Sequence, residues 1–535
     1  MSPQGSVAGP RWQAPAPGLT AGQVRLGQPA GRWVLVATVL GSGMALLDTT
    51  AVNVALPTIG RELGASIGGL QWIVTGYTLA LASLILLGGS LGDRFGRRRV
   101  LLTGVTWFAL ASALCGLAPG TSVLIAARVL QGAGGALLVP GSLAIIQATF
   151  AADDRPRAIG AWSGLSGVAA AVGPLLGGWL VVTAGWRWVF LLNLPLAVVV
   201  ILVALRRVPE TRDESAARRF DVIGSALAAL GLAAITFALI GGAGGAASRL
   251  GLPSLAAAAG VAAAAAFLAV ERRRGKLSRA EQSGSRGTGR SGGPGPPAPM
   301  LPLEIFASGQ FSAINVITFC VYGAFGGMMF LLMLQLQFGA RFSALAAGAA
   351  MLPVTVLMLV LSPRSAALAQ RVGPRWLMTA GITTCAVGVL LTLRITDSAS
   401  YLADVLPAVV VFGLGLSLTV APLTATVLAS APVRHAGIAS GVNNAVARAA
   451  GLLAVAALPA ASGLAATGYH VPALLGDAFR TAMIICAVVL VLAAGLTAAL
   501  VDDRVLRTSE RQPMEPALAG SRTVEAHPLE DGDLT

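Results

Sequence analysis

Charged residues are scarce in this sequence. Asp, Glu, Lys and Arg together make up 11% of its 535 residues, whereas about 25% is typical of soluble domains. A soluble chain of this length forms several domains, each with a charged surface, and too few charges are present to cover them. The composition excludes a soluble multidomain enzyme, a coiled coil and a disordered chain. Because 55% of the residues are hydrophobic, most of the protein is expected to lie in lipid.

Cysteine and histidine are scarce too, and neither is clustered. The four cysteines lie in apolar runs without C-x-x-C spacing, which favours small buried side chains over disulfides or metal ligands. The three histidines are far apart, and the sequence has no G-x-x-x-x-G-K-[ST] phosphate loop. We therefore expect no metal site, no cofactor, no ATP-driven pump and no enzyme. The residues concerned are Cys115, Cys320, Cys385, Cys486, His435, His470 and His527.

Long apolar runs occupy most of the chain. A membrane-spanning helix needs about 20 apolar residues, and we find fourteen such runs. They lie near 33–57, 70–91, 100–118, 122–147, 158–182, 187–205, 222–242, 252–270, 310–336, 344–362, 374–394, 401–430, 437–463 and 479–501. The sequence therefore predicts an all-α membrane protein with fourteen transmembrane helices.

Polar segments flank and interrupt these runs. Residues 1–31 and 502–535 are expected to be disordered cytoplasmic tails, because they are polar and rich in Pro, Gly or charge. Residues 271–309 are expected to form a basic cytoplasmic linker rich in Gly, Ser and Pro.

Basic residues indicate the orientation. With both termini placed in the cytoplasm, 29 of the 37 Lys and Arg residues lie on that side and six on the other, in agreement with the positive-inside rule. An even number of spans is then required. The positive charge faces anionic lipid and gives no reason to expect nucleic acid. We expect a multi-pass protein of the plasma membrane.

Three charged residues lie deep within predicted spans. A charge at mid-bilayer costs roughly 2.5–3.5 kcal/mol and marks a functional site by default. Asp48 lies roughly 13 Å below the outer face, counted from Pro57 as the end of the first span, and Arg128 lies roughly 9–10 Å below it. These depths permit contact between the two. Arg448 lies near the midplane, where structural, gating and substrate-binding roles stay open.

Two interpretations of Asp48 and Arg128 are open. In the first, they form a fixed pair that holds two helices together. In the second, Asp48 carries protons, because burial disfavours its charged form and a nearby Arg favours it. Such a carboxyl group can bind a proton in one conformation and release it in another. Asp48 is the leading candidate, since it is the only acidic residue deep in any predicted span.

Four motifs lie on or between the first five spans. L-D-T-T-A-V-N-V-A-L-P surrounds Asp48, G-S-L-G-D-R-F-G-R-R-R begins at Gly89, R-V-L-Q-G-A-G-G begins at Arg128, and G-P-L-L-G-G begins at Gly173. Together they resemble the major facilitator superfamily, and within it the fourteen-span drug:proton antiporters. The resemblance covers about residues 33–500.

The resemblance implies that the loop after the second span is a conformational latch. Physically, Gly92 and Gly96 permit a tight turn, and three arginines, 97–99, can pair with acidic residues such as Asp153 and Asp154. A plain positive-inside anchor is the alternative. The latch residues implied by the resemblance are Gly89, Asp93, Arg94, Gly96, Arg97 and Arg98.

The motif on the fifth span marks exporters in the family that the chain resembles. It consists of Gly173, Pro174, Gly177 and Gly178, with Ala169 where that pattern has Gly. Small residues permit close helix approach, and a proline gives a bend. Ordinary helix packing is compatible with the same residues.

The second half repeats the first weakly. Gly413 and Gly415 echo Gly132 and Gly134, each pair being followed by a proline. Two similar halves are typical of a parallel-repeat transporter, so we expect two six-helix bundles with two extra helices between them. The expected divisions are bundles at 32–206 and 310–501, with a linker and the two extra helices at 207–270.

Polar side chains within spans are expected to face a cavity or a partner helix. Helix packing is the alternative for each of them taken singly. A cavity with this lining, together with nearby aromatic and Met side chains, suits bulky, amphipathic, often cationic molecules. The candidates are Asn53, Gln71, Tyr77, Gln131, Asn315, Tyr322, Asn443, Asn444 and Arg448.

The sequence thus predicts a monomeric secondary transporter that exports hydrophobic or amphipathic drugs or natural products in exchange for protons. Asp48 would carry the proton and Arg128 would modulate it. Two rivals stay open. One is a proton-coupled importer of a small solute on the same fold, and the other is a non-transporting membrane sensor or assembly protein.

Overall fold

The computed structural model describes residues 24–212, 222–241, 251–288, 301, 303–430, 436–464, 468–503 and 505. Fourteen helical segments in these ranges are long and apolar enough to cross a membrane, as predicted. Helices suit such sequences because lipid offers no partner to backbone N–H and C=O groups, so each must be bonded within its own segment.

The first half of the chain contains six spans, the sixth of which is interrupted at Leu192. Pro57 was predicted to end the first span, but it lies within the first helix, which continues for six more residues. The helices are α1 (Pro29–Leu63), α2 (Ile67–Phe95), α3 (Arg97–Gly116), α4 (Thr121–Thr149), α5 (Arg155–Thr183), α6 (Arg187–Leu191) and α7 (Asn193–Arg207).

Two helices follow, α8 (Val222–Gly241) and α9 (Leu252–Thr288). They pack on each other as a hairpin. The α9 helix continues well past its apolar part, so the predicted basic linker 271–309 begins as helix. Residues 289–300 of that linker lie outside the described residues.

The second half contains six further spans. Short 3₁₀ or π segments flank several of them: Leu303–Ala307, Gln335–Gly339, Thr392–Arg394, Tyr401–Val405 and Gly468–His470. The helices are α10 (Gly309–Leu334), α11 (Ala344–Ala350), α12 (Leu352–Val372), α13 (Pro374–Leu391), α14 (Leu406–Ala429), α15 (Ala436–Ala461) and α16 (Pro472–Leu500).

Helix packing is the same in the two halves. In the N-terminal bundle (α1–α7), α1 packs on α5 and α7, and α4 packs on α2 and α3. In the C-terminal bundle (α10–α16), α10 packs on α15 and α16, and α14 packs on α12 and α13. The α8 helix contacts α2 and α15, one from each bundle. The fold is therefore two six-span bundles with an extra helical pair between them.

The glycine repeat has a packing role in each bundle. A Cβ at Gly132 would overlap the backbone of Tyr77 on α2, and one at Gly134 would lie 2.8 Å from the backbone of α3. In the C-terminal bundle, a Cβ at Gly413 would lie 2.9 Å from Val354 on α12, and one at Gly415 would lie 2.5 Å from the backbone of α13. Each bundle thus uses one glycine for each close neighbour of its fourth span.

A second repeat lies at the tight turn between the second and third spans of each bundle. Gly96 joins α2 to α3 with φ +104°, and Gly373 joins α12 to α13 with φ +98°. In each case an acidic side chain from beyond the sixth span caps the new helix. Glu210 Oε1 accepts from the Arg98 N–H at 3.0 Å, and Asp503 Oδ1 accepts from the Arg375 N–H at 3.0 Å. A carboxylate at this position stabilises the N-terminus of the helix, because the first N–H groups of a helix have no partner within it.

The two bundles meet at one side of the membrane, which we call the far side, where α1 ends; the near side is where α1 begins. Gln71 donates from Nε2 to the carbonyls of Val455 and Ala456 at 2.7 and 2.9 Å. Gln337 donates from Nε2 to the Val54 carbonyl at 2.9 Å. These bonds cross from one bundle to the other, so the far side is closed.

Tyr469 adds a further bond to this far-side closure. Its hydroxyl donates to the carbonyl of Ala65 on the other bundle. Its ring packs edge-on against Phe338, with centroids 5.4 Å apart. Burial raises the pKa of Tyr469 to about 12, so this hydroxyl keeps its proton, and the bond, through the neutral range.

The structure describes part of each predicted tail: residues 24–31 of the first, and residues 502, 503 and 505 of the second. Residues 24–31 lie in the predicted tail 1–31, yet Val24 pairs with the end of α4: its N–H donates to the Thr149 carbonyl at 2.8 Å. Leu26 N–H donates to Asp154 at 3.0 Å, and α1 begins at Pro29. These backbone bonds explain why the segment is held. Residues 1–23, 504 and 506–535 lie outside the described residues.

Candidate functional site

Asp48 and Arg128 form a buried ion pair inside the N-terminal bundle. Asp48 lies on α1 and Arg128 on α4, and Arg128 Nη1 is 2.5 Å from Asp48 Oδ2. Both side chains are almost fully buried, at 0% and 1% exposure. The contact that their predicted depths permit is therefore present.

The rest of the carboxylate is also hydrogen bonded. Asp48 Oδ1 accepts from Gln131 Nε2 at 2.8 Å and from Asn193 Nδ2 at 3.0 Å. Ser112 Oγ accepts from these same two amides at 3.1 and 2.9 Å. Its own hydroxyl donates to the Phe190 carbonyl. Residues from α4 and α7 thus bind one carboxylate on α1, and Ser112 on α3 holds the two amides in place.

Sequence reasoning missed Ser112 and Asn193. Asn193 is the first residue of α7, directly after the interruption of the sixth span. A polar amide at a helix break inside an apolar run was the signal that could have identified it. Ser112 carried no comparable signal, because a single serine is common in transmembrane helices.

Arg128 has further partners besides Asp48. Its Nε donates to the Ile73 carbonyl at 3.1 Å, and its Nη1 also donates to Gln131 Oε1 at 2.6 Å. Its guanidinium lies over the Tyr77 ring, 4.2 Å from the centroid. Buried charges persist only when their donors are paired in this way.

Several predicted cavity residues serve helix contacts instead. Gln131 belongs to the Asp48 cluster, and Tyr77 packs under Arg128 and donates to the Ala45 carbonyl at 3.3 Å. Gln71 belongs to the far-side closure. Asn315 donates back to the Phe311 carbonyl of its own helix at 2.8 Å.

A cavity of about 390 Å³ lies between α1, α10, α14 and α15. Four predicted residues line it together: Tyr322, Asn443, Asn444 and Arg448. Asn53 is partly buried and does not line this cavity. The remaining lining residues are Leu46, Phe325, Thr424, Val427, Leu428, Ser440 and Ala447.

The cavity lies on the near side of the contacts that join the bundles. Leu46 is at the middle of α1, and Val427 is near the end of α14, which runs from the far side to the near side. Ser440 is in the second turn of α15, which begins at the near side. A solute would therefore reach this cavity from the near side, since the far side is closed.

The predicted latch residues form contacts within their own bundle. Arg97 donates from Nε and Nη2 to Asp93 Oδ1 at 3.0 and 2.8 Å. Arg98 and Arg99 lie 3.7 and 3.8 Å from Glu210 Oε2. The prediction that these arginines pair with Asp153 or Asp154 is wrong for this conformation, because Glu210 is nearer and Asp154 accepts from Leu26.

The turn of the latch is shorter than predicted. Gly92 lies within α2, so Gly96 alone makes the turn. A Cβ at Gly89 would meet Pro140 at an ordinary 3.5 Å, whereas one at its neighbour Gly88 would overlap the Ala136 carbonyl. Arg94 lies over the Phe95 ring, 5.2 Å from its centroid.

The exporter-type motif lies where α5 meets both bundles. A Cβ at Gly173 would overlap Thr50 on α1, and one at Gly177 would lie 2.8 Å from Ala51. On the other face, a Cβ at Gly178 would lie 2.6 Å from the Ala344 carbonyl of α11. A Cβ at Gly348 of α11 would in turn overlap the Pro174 carbonyl. The motif therefore brings α5 close to its own bundle and to the other one.

Known proteins resemble this chain over most of its length. It is 34% identical over 431 residues to the "Probable actinorhodin transporter" of Streptomyces coelicolor, covering 78% of this chain and 70% of that protein. It is 33% identical over 495 residues to the "Puromycin resistance protein pur8" of Streptomyces alboniger, covering 89% and 93%.

A crystal structure of a bacterial homolog of the human lysosomal transporter Spinster superposes with a TM-score of 0.60 at 16% identity, covering 90% of this chain and 98% of that one. This likeness concerns the fold. The Major Facilitator Superfamily model matches residues 38–223 and 216–455. With its repeated bundles and fourteen membrane-spanning helices, the chain belongs to the Major Facilitator Superfamily, a family of multi-pass membrane transporters.

Proposed function

We propose that this protein exports hydrophobic or amphipathic drugs or natural products across the plasma membrane in exchange for protons. The names of two relatives, a probable actinorhodin transporter and a puromycin resistance protein, support export. The observation that carries proton coupling is the buried Asp48–Arg128 pair. Alternating access moves the cavity from one side of the membrane to the other.

The near side is the cytoplasm in this proposal, and both termini lie there. The excess of Lys and Arg on that side, 29 against six, supports this orientation. The structure then corresponds to the state in which a solute enters from the cytoplasm. The protein works as a monomer, since each bundle repeats the other within one chain.

Asp48 is the proton carrier and Arg128 modulates it. In this conformation the carboxylate is hydrogen bonded to Arg128, Gln131 and Asn193. Rearrangement of α1 against α4 would remove Arg128 from the carboxylate and favour protonation. Export then requires the pair to break and re-form once in each cycle.

Asp93, Arg97 and Arg98 latch the near side in the opposite conformation. Here the partner of Asp93 among the described residues is Arg97, one turn later. Because Asp93 is partly exposed at the near end of α2, it is free to exchange that partner for one on the C-terminal bundle when the near side closes.

Gradient-driven uptake into everted membrane vesicles tests the proposal. Three tricyclic probes serve as solutes: 9-anthracenecarboxylate, 9-anthracenecarboxamide and 9-(aminomethyl)anthracene. With an acidic lumen, we expect vesicles that contain the protein to accumulate at least one probe several-fold over vesicles without it. Collapse of the pH gradient with nigericin should abolish the accumulation.

The rival functions give other results in the same vesicles. A proton-coupled importer would release preloaded probe along with the protons and would not accumulate it. A sensor or assembly protein would move none of the three probes. Either result would overturn the proposal.

A further inference from the structure

The described lining of the cavity carries positive charge without negative charge. Arg448 is the one charged residue among the eleven described lining residues, and none of them is Asp or Glu. This differs from the sequence expectation of an often cationic solute. A cation would be repelled by Arg448, and the lining offers no carboxylate to compensate.

Among the described residues, Arg448 lacks the kind of partners that Arg128 has. Its Nε is shielded from solvent and has no hydrogen-bond acceptor, and no carboxylate among the described residues pairs with it. Arg128, by contrast, has Asp48, Gln131 and the Ile73 carbonyl. An uncompensated guanidinium in a low-dielectric site is costly, so an incoming anion would be stabilised there.

Neighbouring side chains complete an anion-binding wall. Asn443 lines the cavity. Its Oδ1 accepts from Thr318 at 2.8 Å, so the two amide N–H groups are the part of this side chain that can donate to a solute. Asn444 lies next along α15, and Arg448 lies one turn beyond it. Hydrogen bonds between such donors and an ionised oxygen are roughly twice as strong as neutral ones.

Another part of the cavity lining is aromatic. The Phe325 ring stacks on Phe412 with centroids 6.0 Å apart and planes within 10°. Tyr322 lies one turn away on the same helix, α10. A flat ring system would pack on these faces. The volume of about 390 Å³ is within the range of sites for drug-sized molecules.

We propose that the solute of this cavity is a planar aromatic organic anion, a carboxylate or phenolate whose charged oxygen binds Arg448 and Asn443 while its rings pack on Tyr322 and Phe325. The proposal deepens the proposed function and rests on it, because it names the class of molecule that is exported. The excess of basic residues on the near side would also attract anions to the entrance of the cavity.

Equilibrium binding to the full-length protein in lipid nanodiscs tests the charge preference. The probes are again the anthracene carboxylate, its carboxamide and the aminomethyl compound, followed by fluorescence at neutral pH without a gradient. We expect the carboxylate to bind roughly 10- to 100-fold more tightly than the carboxamide, and the ammonium compound to bind most weakly. Equal affinity for carboxylate and carboxamide, or preference for the ammonium compound, would overturn the proposal.

Variants of Arg448 separate charge recognition from packing. Arg448→Gln should remove the preference for carboxylate over carboxamide, whereas Arg448→Lys should retain most of it. Arg480→Gln, which removes an exposed arginine of the same bundle, is the matched control and should change neither affinity. If Arg448→Gln weakens both probes equally, Arg448 supports packing and the proposal is wrong.

The binding and transport experiments test the anion site and the export function separately. If the carboxylate preference is present but vesicles show no gradient-driven uptake, the anion site stands and the proposed function fails. If vesicles accumulate the carboxamide or the ammonium compound while binding shows no preference for the carboxylate, the export function stands and the anion site fails.

Discussion

Asp48 and Arg128 compensate each other in a place that water does not reach. Each is at most 1% exposed, and their closest atoms are 2.5 Å apart. Removing one partner of such a pair costs about 3–5 kcal/mol, because the other charge stays buried, whereas removing both is often close to neutral. The energetic role of the pair therefore appears only when single and double variants are compared.

We predict that Asp48→Asn and Arg128→Gln each lower the unfolding temperature clearly, while the double variant recovers at least half of the loss. Thermal unfolding of the purified protein in detergent measures this. The pair Arg394–Asp404, at 3.5 Å, is the control: the Arg394 side chain is 57% exposed, and Arg394→Gln should have an effect of about 1 kcal/mol or less. An Asp48→Asn protein as stable as the parent would contradict this compensation.

At the scale of single elements, the turns after α2 and α12 depend on one glycine each. Gly96 and Gly373 have positive φ, and a Cβ at Gly96 would lie 2.6 Å from Glu210 Oε1. At Gly373 a Cβ would overlap Asp503. The acidic cap needs this close approach, so the glycine and the carboxylate act together.

Gly96→Ala is therefore expected to destabilise the protein by about 1–3 kcal/mol, through backbone strain and displacement of Glu210. Gly92→Ala is the matched control, since Gly92 is helical and a Cβ there would meet nothing nearer than 3.8 Å. That change should be neutral or stabilising by about 0.5–1 kcal/mol. Equal loss of unfolding temperature in both variants would contradict the capping role of the turn.

At the scale of the whole molecule, the two bundles are joined on the far side by polar bonds and by the close approach of α5 to α11. Gly178 and Gly348 permit backbone contact across this boundary. An interface packed this closely switches between a few distinct arrangements of its helices and does not deform continuously. Small changes of volume at the boundary are expected to shift the population between conformations and leave each bundle intact.

Gly178→Ala should shift the protein toward conformations that are open on the far side, because its Cβ would lie 2.6 Å from the Ala344 carbonyl. Gly164→Ala, on the same helix with nothing within 4 Å, is the control and should cause no shift. Spin-label distances between cysteines introduced at Val123 and Leu474, both exposed, report the separation of the bundles. An unchanged distance distribution in Gly178→Ala would disprove the role of this contact.

Part of the site was predictable from the sequence, because the position of a residue along a span gives its approximate depth in the membrane. The predicted depths of Asp48 and Arg128 permitted their contact, but that of Asp48 was counted from Pro57, and α1 continues for six residues beyond it. The packing of α1 and α4 decided that the two side chains meet. The cavity was only partly predictable: Asn443, Asn444 and Arg448 line it, whereas Gln71 and Tyr77 join helices instead. Hydropathy alone does not show which neighbour a polar side chain of a buried helix faces.

The sequence by itself determined the fourteen spans, the expected orientation and the charged residues that would require explanation, because each of these depends on local composition measured against the bilayer. Only the tertiary structure decided that Ser112 and Asn193 complete the Asp48 cluster and that Glu210 and Asp503 cap equivalent helices. It also decided that Arg448 lies in a cavity whose described lining holds no carboxylate to pair with it. These features depend on the rotation and packing of helices distant in sequence, which no local pattern encodes.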